Sequence, residues 1–134
     1  MPTKVIKIYK GNTLEPEVKK FLVHFCAWTI KRLGITLDCV IILSKVGQIQ
    51  GISTGGFDPI TNDVISRIEK RAPIDCARTL AHEFVHLKQK QEGKIKEGVP
   101  VQNIGGPIED EANIFAGILL KEYAAEFGRW IYDL

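Results

Sequence analysis

The chain has 134 residues, 45% hydrophobic and 25% charged, a mixture that excludes a disordered chain and predicts one domain over residues 1–134. The formal net charge of +2 is too small to favour nucleic acid or an anionic membrane as a partner. Apolar runs stay far below the roughly 20 residues that cross a bilayer, and the N-terminus lacks the apolar core of a signal peptide, so we expect a cytoplasmic protein.

The N-terminal third of the sequence predicts one strand and one long helix. Apolar residues alternate with lysines over residues 4–10, a pattern typical of a short edge strand. Apolar side chains then recur at steps of three and four from Val18 to Leu33 and make one stripe along a helix. This helix is expected to begin at Pro16 and to end before Gly34, because proline suits the first helical turn and glycine the position after the last.

The middle of the sequence predicts a small sheet. Residues 40–43 are continuously apolar, as in a buried strand, and residues 64–72 alternate well enough for a half-exposed strand. Between them, residues 49–52 suit a further short strand, whereas the glycine pair at 55–56 indicates a turn. With the N-terminal strand, these segments make a mixed or antiparallel sheet of three to four strands.

Two further helices are predicted in the C-terminal half. The second helix opens at Pro73, with Asp75 as its expected N-cap, and runs to about Gly93. After a polar, glycine-rich connection, the third helix begins at Pro107 and continues to Phe127. The predicted fold class is therefore α+β, with the small sheet packed on three helices. Three widely spaced cysteines are interpreted as reduced core residues: Cys26, Cys39 and Cys76.

The most informative segment lies inside the second helix and has the form HExxH. Residues four apart on a helix are rotated by only about 40°, so the imidazoles of His82 and His86 leave from one face and can reach one metal ion. Glu83 is rotated by about 100° from His82, so it flanks the metal and can take a proton from a metal-bound water. Two polar surface histidines are the alternative, but two of the three histidines in the chain take up this spacing.

A hydrolytic zinc site needs a third protein ligand and an open position for water. The remaining histidine, His24, lies beside the apolar stripe of the first helix and is interpreted as a partly buried helix residue. A carboxylate is therefore expected, and Glu109 is favoured over Asp110, which is shorter and also rotated, and over Glu111, which is rotated by about 200°. The alternative for all three acids is the preference of negative charge for helix N-termini. Asn113 shares a face with Glu109 and could hold the second ring nitrogen of a ligand histidine.

HExxH followed by a helix of the form E-x-x-A-N resembles the gluzincin class of zinc metallopeptidases. Residues 109–120 are similar to the run E-x-E-A-N-x-F-A-x-x-L-L of the ImmA/IrrE group, and residues 78–83 resemble that group's lead into its motif. The resemblance implies a minimal zincin-like fold with Glu83 as the catalytic carboxylate. The ligands of Zn²⁺ that it implies are His82, His86 and Glu109. Known members of the group include peptidases that cut transcriptional repressors.

The first functional hypothesis is a zinc metalloendopeptidase that hydrolyses a protein or peptide substrate. The substrate is expected to add a strand to a sheet edge, at residues 49–55 or 64–72. Candidate donors to the oxyanion are Tyr9, Tyr123 or a backbone amide. Three basic residues could favour acidic substrate segments, although a solvated strand face explains their presence equally well: Arg67, Lys70 and Arg71.

Two other hypotheses remain. A non-catalytic regulatory or interaction protein could use the same metal site to hold its helices together. Nucleic-acid binding through the lysines of residues 88–96 is disfavoured, because positive charge at a helix end complements the helix dipole and no nucleic-acid motif accompanies it.

Overall fold

The computed structural model describes residues 4–8, 14–44, 54–95 and 106–134. In chain order the elements are β1 (Lys4–Ile8), α1 (Pro16–Leu33), β2 (Cys39–Ser44), β3 (Gly55–Asp58), β4 (Asp63–Arg67), α2 (Pro73–Gln91), α3 (Pro107–Phe127) and a 3-10 segment (Arg129–Asp133). The predicted α+β class with three helices is confirmed, and the helices lie close to their predicted bounds.

The four described strands form one mixed sheet in the order β1-β2-β4-β3. β2 is parallel to both β1 and β4, whereas β3 pairs antiparallel with β4. The hairpin between β3 and β4 turns at Asn62, whose backbone φ is 62° and whose N–H donates to the carbonyl of Asp58. β3 is therefore an edge strand of the described sheet, and the prediction of a small mixed sheet is confirmed.

Two strand predictions need correction. The glycine pair at 55–56 opens β3 instead of making a turn, because Gly55 lies where a Cβ would collide with Thr79 of α2 and with the carbonyl of Ile65. β4 ends at Arg67, well before residue 72, because Lys70 adopts a positive φ of 56° that redirects the chain into α2. The strand predicted at residues 49–52 lies outside the described residues.

The helix ends follow the sequence signals with one exception. α1 ends at Gly34, which has a left-handed φ of 68° and donates its N–H to the carbonyls of the last turn. The N-cap of α2 is Ala72, so the prediction of Asp75 as N-cap is wrong. Pro73 begins the helix, which moves Asp75 into the first turn, where its charge still complements the dipole.

α2 is the central element of the fold. It packs against α1 and α3 and also against β3 and β4. Its apolar face is fully buried, and the predicted core residues Leu80, Ala81 and Phe84 are each 0% exposed. The three cysteines lie in the described residues and are buried, as predicted. None of the described helices has the length and apolar character that a bilayer crossing requires.

Candidate metal centre

Two helices bring a pair of imidazoles and a carboxylate to one point. His82 and His86 are one turn apart on α2, and their Nε2 atoms lie 3.2 Å from each other. Glu109, in the first turn of α3, places Oε1 2.8 Å from Nε2 of His82 and Oε2 3.2 Å from Nε2 of His86. The structure therefore assembles the three residues that the sequence singled out as ligands.

The position of Glu109 follows from the face of α3 that is buried. Ala112 and Ala116 follow Glu109 by three and seven residues, so the three side chains share one side of the helix. Both alanines are buried, at 0% and 2% exposure. Their small side chains turn this face of α3 inward, and Glu109 is consequently directed at α2 rather than at solvent.

The orientation of His86 is set by a buried amide that the sequence analysis did not identify. Gln89 is 0% exposed, and its Oε1 lies 2.7 Å from Nδ1 of His86. Its Nε2 donates to the carbonyl of Ile108 and to Oε1 of Glu111, each at 2.9 Å. Both partners of the amide nitrogen of Gln89 are acceptors, which fixes which end of the amide is the oxygen. Oε1 of Gln89 must therefore accept a hydrogen bond from Nδ1–H of His86. One side chain thus orients an imidazole of α2 and also holds the first turn of α3.

This hydrogen-bond pattern places a buried lone pair of His86 beside Glu109 and His82. With its proton on Nδ1, a neutral His86 presents the lone pair of Nε2 to Oε2 of Glu109 and to Nε2 of His82, both at 3.2 Å. His86 is 1% exposed, so water cannot take the place of a partner. A cation between the three groups would contact all of them at once.

Burial favours the neutral forms of His82 and Glu83, which flank this cluster. The pKa of His82 is lowered, mainly by desolvation and against the opposing charge of Glu109. Desolvation, and then the charge of Glu109, raises the pKa of Glu83 to about 8. A neutral imidazole is the form that binds metal. A divalent cation beside Glu83 would act in the opposite direction and lower its pKa.

Glu83 completes a group that could hold a metal ion. One ligand atom from each of His82, Glu83 and His86 lies within 4.8 Å of the others. Glu83 is 5% exposed and leaves α2 next to His82, whereas Glu109 lies directly between the two imidazoles. Two acids therefore adjoin the imidazoles, and of these Glu109 contacts both rings.

The centre opens into a cavity of about 360 Å³. The cavity is bounded by α2, by the first half of α3 and by the start of edge strand β3. Its lining residues are Thr54, Gly55, Arg78, Thr79, His82, Glu83, Glu109, Asn113 and Ala116. A small ligand or a segment of peptide can therefore reach the imidazoles and Glu83 from solvent.

The remaining candidates lie at different distances from the centre. Asn113 lines the cavity and acts to raise the pKa of His82 by favouring its charged form, whereas Gln89 contacts Nδ1 of His86. Glu111 faces away from the imidazoles and contacts Gln89 and Lys94. The prediction that Glu111 points elsewhere is therefore confirmed.

Tyr123, a predicted donor to the oxyanion, lies far from the imidazoles of α2. Tyr123 follows Glu109 by 14 residues on α3, about 21 Å along the helix axis, so it cannot contact an oxyanion at the centre. Its hydroxyl lies 2.7 Å from Nδ1 of His24, which is exposed rather than partly buried. Tyr9, the other tyrosine proposed as a donor, lies outside the described residues.

The described residues define an α+β protein whose HExxH helix could hold a metal ion. Comparisons with protein-family models, with curated proteins and with solved structures found no match.

Proposed function

We propose that the protein is a zinc-dependent metallopeptidase of the gluzincin type, similar to the ImmA/IrrE group. The observation that carries this proposal is the convergence of Nε2 of His82, Nε2 of His86 and the carboxylate of Glu109 within 3.2 Å of one another. Two imidazoles and one carboxylate are a ligand set of catalytic zinc sites, which keep a fourth position for water or substrate.

The spacing of the three ligand atoms suits a tetrahedral ion. Zinc–nitrogen bonds of 2.0–2.1 Å place neighbouring ligand atoms about 3.3–3.4 Å apart in a tetrahedron. The two nitrogens lie 3.2 Å apart, and each contacts a different oxygen of Glu109, at 2.8 and 3.2 Å, so a bound ion would require only a slight outward movement of this carboxylate. The cavity on the open side supplies the fourth position. The buried Cys76 lies on the same helix but precedes His82 by six residues, and no described cysteine belongs to the group that could hold the ion.

Glu83 is the acid–base residue of the proposed reaction. Zinc, when bound, supplies Lewis-acid activation of water and of the scissile carbonyl. A carboxylate oxygen of Glu83 then accepts a proton from the attacking water and delivers it to the leaving amine. Gln89 keeps the proton of His86 on Nδ1, so that Nε2 stays available for the metal.

The substrate is expected to add a strand to β3. This strand is an edge of the described sheet, and Gly55 belongs both to β3 and to the cavity wall. A peptide paired with β3 would therefore pass directly by the ligand residues. Of the two predicted edges, β4 is internal, because it lies between β2 and β3.

The test of this proposal is the substitution Glu83→Gln. Zinc should remain bound at about one ion per chain, while cleavage of a degenerate peptide library falls by at least about 100-fold, since the proton acceptor is lost. Glu17→Gln, an exposed glutamate on α1, is the matched control and should leave cleavage unchanged. Undiminished cleavage by Glu83→Gln would refute the role of Glu83.

A second candidate function is that of a non-catalytic binding protein, because the centre joins two helices. Glu109 of α3 faces both imidazoles of α2, so an ion there would also clamp the fold and could serve a non-catalytic binding protein. Hydroxamates separate the two functions, because they need an open coordination position. Failure of acetohydroxamate to bind the zinc-loaded protein would favour the clamp.

A further inference from the structure

Arg78 stands on the wall of the cavity that contains the candidate metal centre. It precedes His82 by four residues on α2, so both side chains leave from the same face of the helix. It lines the cavity together with Thr54 and with Gly55 at the start of β3. Arg78 is exposed, so its guanidinium is accessible to anything that enters the cavity.

Within the described part of the chain, Arg78 forms no hydrogen bond or ion pair. Arg32, by contrast, is paired, since its Nε lies 2.7 Å from Oε1 of Glu122. Arg71, a sequence candidate for an acidic substrate, instead donates to three backbone carbonyl oxygens around the start of α2. The segments outside the described residues contain a single acidic residue, Glu97.

The acidic side chains of the cavity do not neutralise Arg78. Glu109 is directed at the two imidazoles, with both of its oxygens in contact with them. The pKa of Glu83 is raised by burial and by the charge of Glu109, and Arg78 makes no contribution to this shift. A carboxylate that enters the cavity would therefore meet a cation that has no partner among the described residues.

We propose that Arg78 binds a carboxylate group of the substrate and makes the site selective for acidic peptides, an inference that rests on the proposed peptidase function. A guanidinium offers two parallel N–H donors that match the two oxygens of a carboxylate. A peptide paired with β3 passes Gly55, which shares the cavity wall with Arg78. The carboxylate comes from an acidic side chain or from the C-terminus of the peptide.

The test compares two hydroxamates on the zinc-loaded protein. Succinic acid monohydroxamate carries a free carboxylate, and its primary-amide analogue is neutral at the same length. Both bind zinc through the hydroxamate, so the ratio of their Kd values isolates the carboxylate. We expect the acid to bind about tenfold more tightly in the wild type. In Arg78→Ala the ratio should fall to within about twofold, and Arg78→Lys should keep part of it.

A matched control removes a positive charge elsewhere. Lys121 is exposed on α3, about 18 Å along the helix from Glu109, and Lys121→Ala should keep the full preference for the acid. Equal Kd values in the wild type, or an unchanged ratio in Arg78→Ala, would overturn the role of Arg78 and leave the peptidase proposal intact. If neither hydroxamate binds, both proposals fall.

A peptide library identifies the source of the carboxylate. Enrichment of Asp and Glu near the cleaved bond, in libraries with free and with amidated C-termini alike, indicates an acidic side chain. Cleavage that slows about tenfold on amidation indicates the C-terminal carboxylate. Either signal should disappear in Arg78→Ala. Cleavage of the wild type with neither signal would contradict the proposal.

Discussion

Histidines of α1 and α2 contact the two ends of α3, and the two environments use the imidazole differently. Near the end of the helix, Nδ1 of His24 lies 2.7 Å from the hydroxyl of Tyr123, and the ring packs edge-on against Phe127 at 4.8 Å. Near its start, two Nε2 atoms share one carboxylate, Glu109. The first arrangement satisfies the ring nitrogen with a single partner. The second brings two ring nitrogens and two carboxylate oxygens together, and a cation between them would contact all of these groups at once.

The largest effect on zinc affinity should come from removing the carboxylate of Glu109, which contacts both imidazoles. Glu109→Ala removes the ligand that α3 would supply to the proposed zinc site, so zinc affinity should fall by more than about 100-fold in competition with a chelator. His24→Ala removes an imidazole of the other cluster and should change zinc affinity by less than about twofold. Strong zinc binding by Glu109→Ala, or its loss in His24→Ala, would show that the two environments have been assigned wrongly.

A smaller effect is expected when the amide behind His86 is removed. Gln89→Leu keeps the volume but loses the acceptor that holds the proton on Nδ1 and the contact to the first turn of α3. Zinc affinity should fall by about 10- to 100-fold. Gln91→Leu is the control, since Gln91 contacts the loop after α1 instead. Equal zinc affinities in the two variants would contradict the role of Gln89.

The stability of the metal-free protein should depend on pH through Glu83. Burial raises its pKa to about 8, so at neutral pH the folded protein holds a proton that the unfolded chain has released. The free energy of unfolding should therefore fall as the pH rises towards 8, by at most about 1.4 kcal/mol per pH unit. The lowered pKa of His82 acts oppositely in acid, so the decline should be clearest above about pH 6.5.

Urea denaturation at several pH values measures this effect. Glu83→Gln cannot titrate at this position and should show a flatter profile. Saturating zinc should flatten the wild-type profile as well, because the cation lowers the pKa of the neighbouring carboxyl. A metal-free wild type and Glu83→Gln with the same pH profile would contradict the buried, protonated state of Glu83.

The sequence predicts the parts of the centre that depend on helical spacing. His82, Glu83 and His86 follow from one turn of α2, and Glu109 follows from the chain's return to α2 through α3. Gln89 could not be found in this way. Its partners belong to a different helix, and a lone glutamine has no characteristic spacing until the packing of the two helices is known.

Predictions that depend on tertiary packing fared less well. Gly55 reads as a turn residue, but its role is to let β3 approach Thr79 of α2. Tyr123 is chemically suited to an oxyanion, yet its position on α3 directs it to His24. In both cases the interpretation used the local chemistry of the residue, whereas its actual partner comes from a segment that is distant in sequence.

The coordination of the zinc-loaded protein tests the central claim most directly. X-ray absorption at the zinc edge should show two imidazole nitrogens, one carboxylate oxygen and one further light atom from solvent, all at about 2.0–2.2 Å. His82→Ala and His86→Ala should each lose one imidazole from that shell. A sulfur neighbour, a shell filled by four protein ligands, or the absence of stoichiometric zinc would contradict a hydrolytic centre built from these two helices.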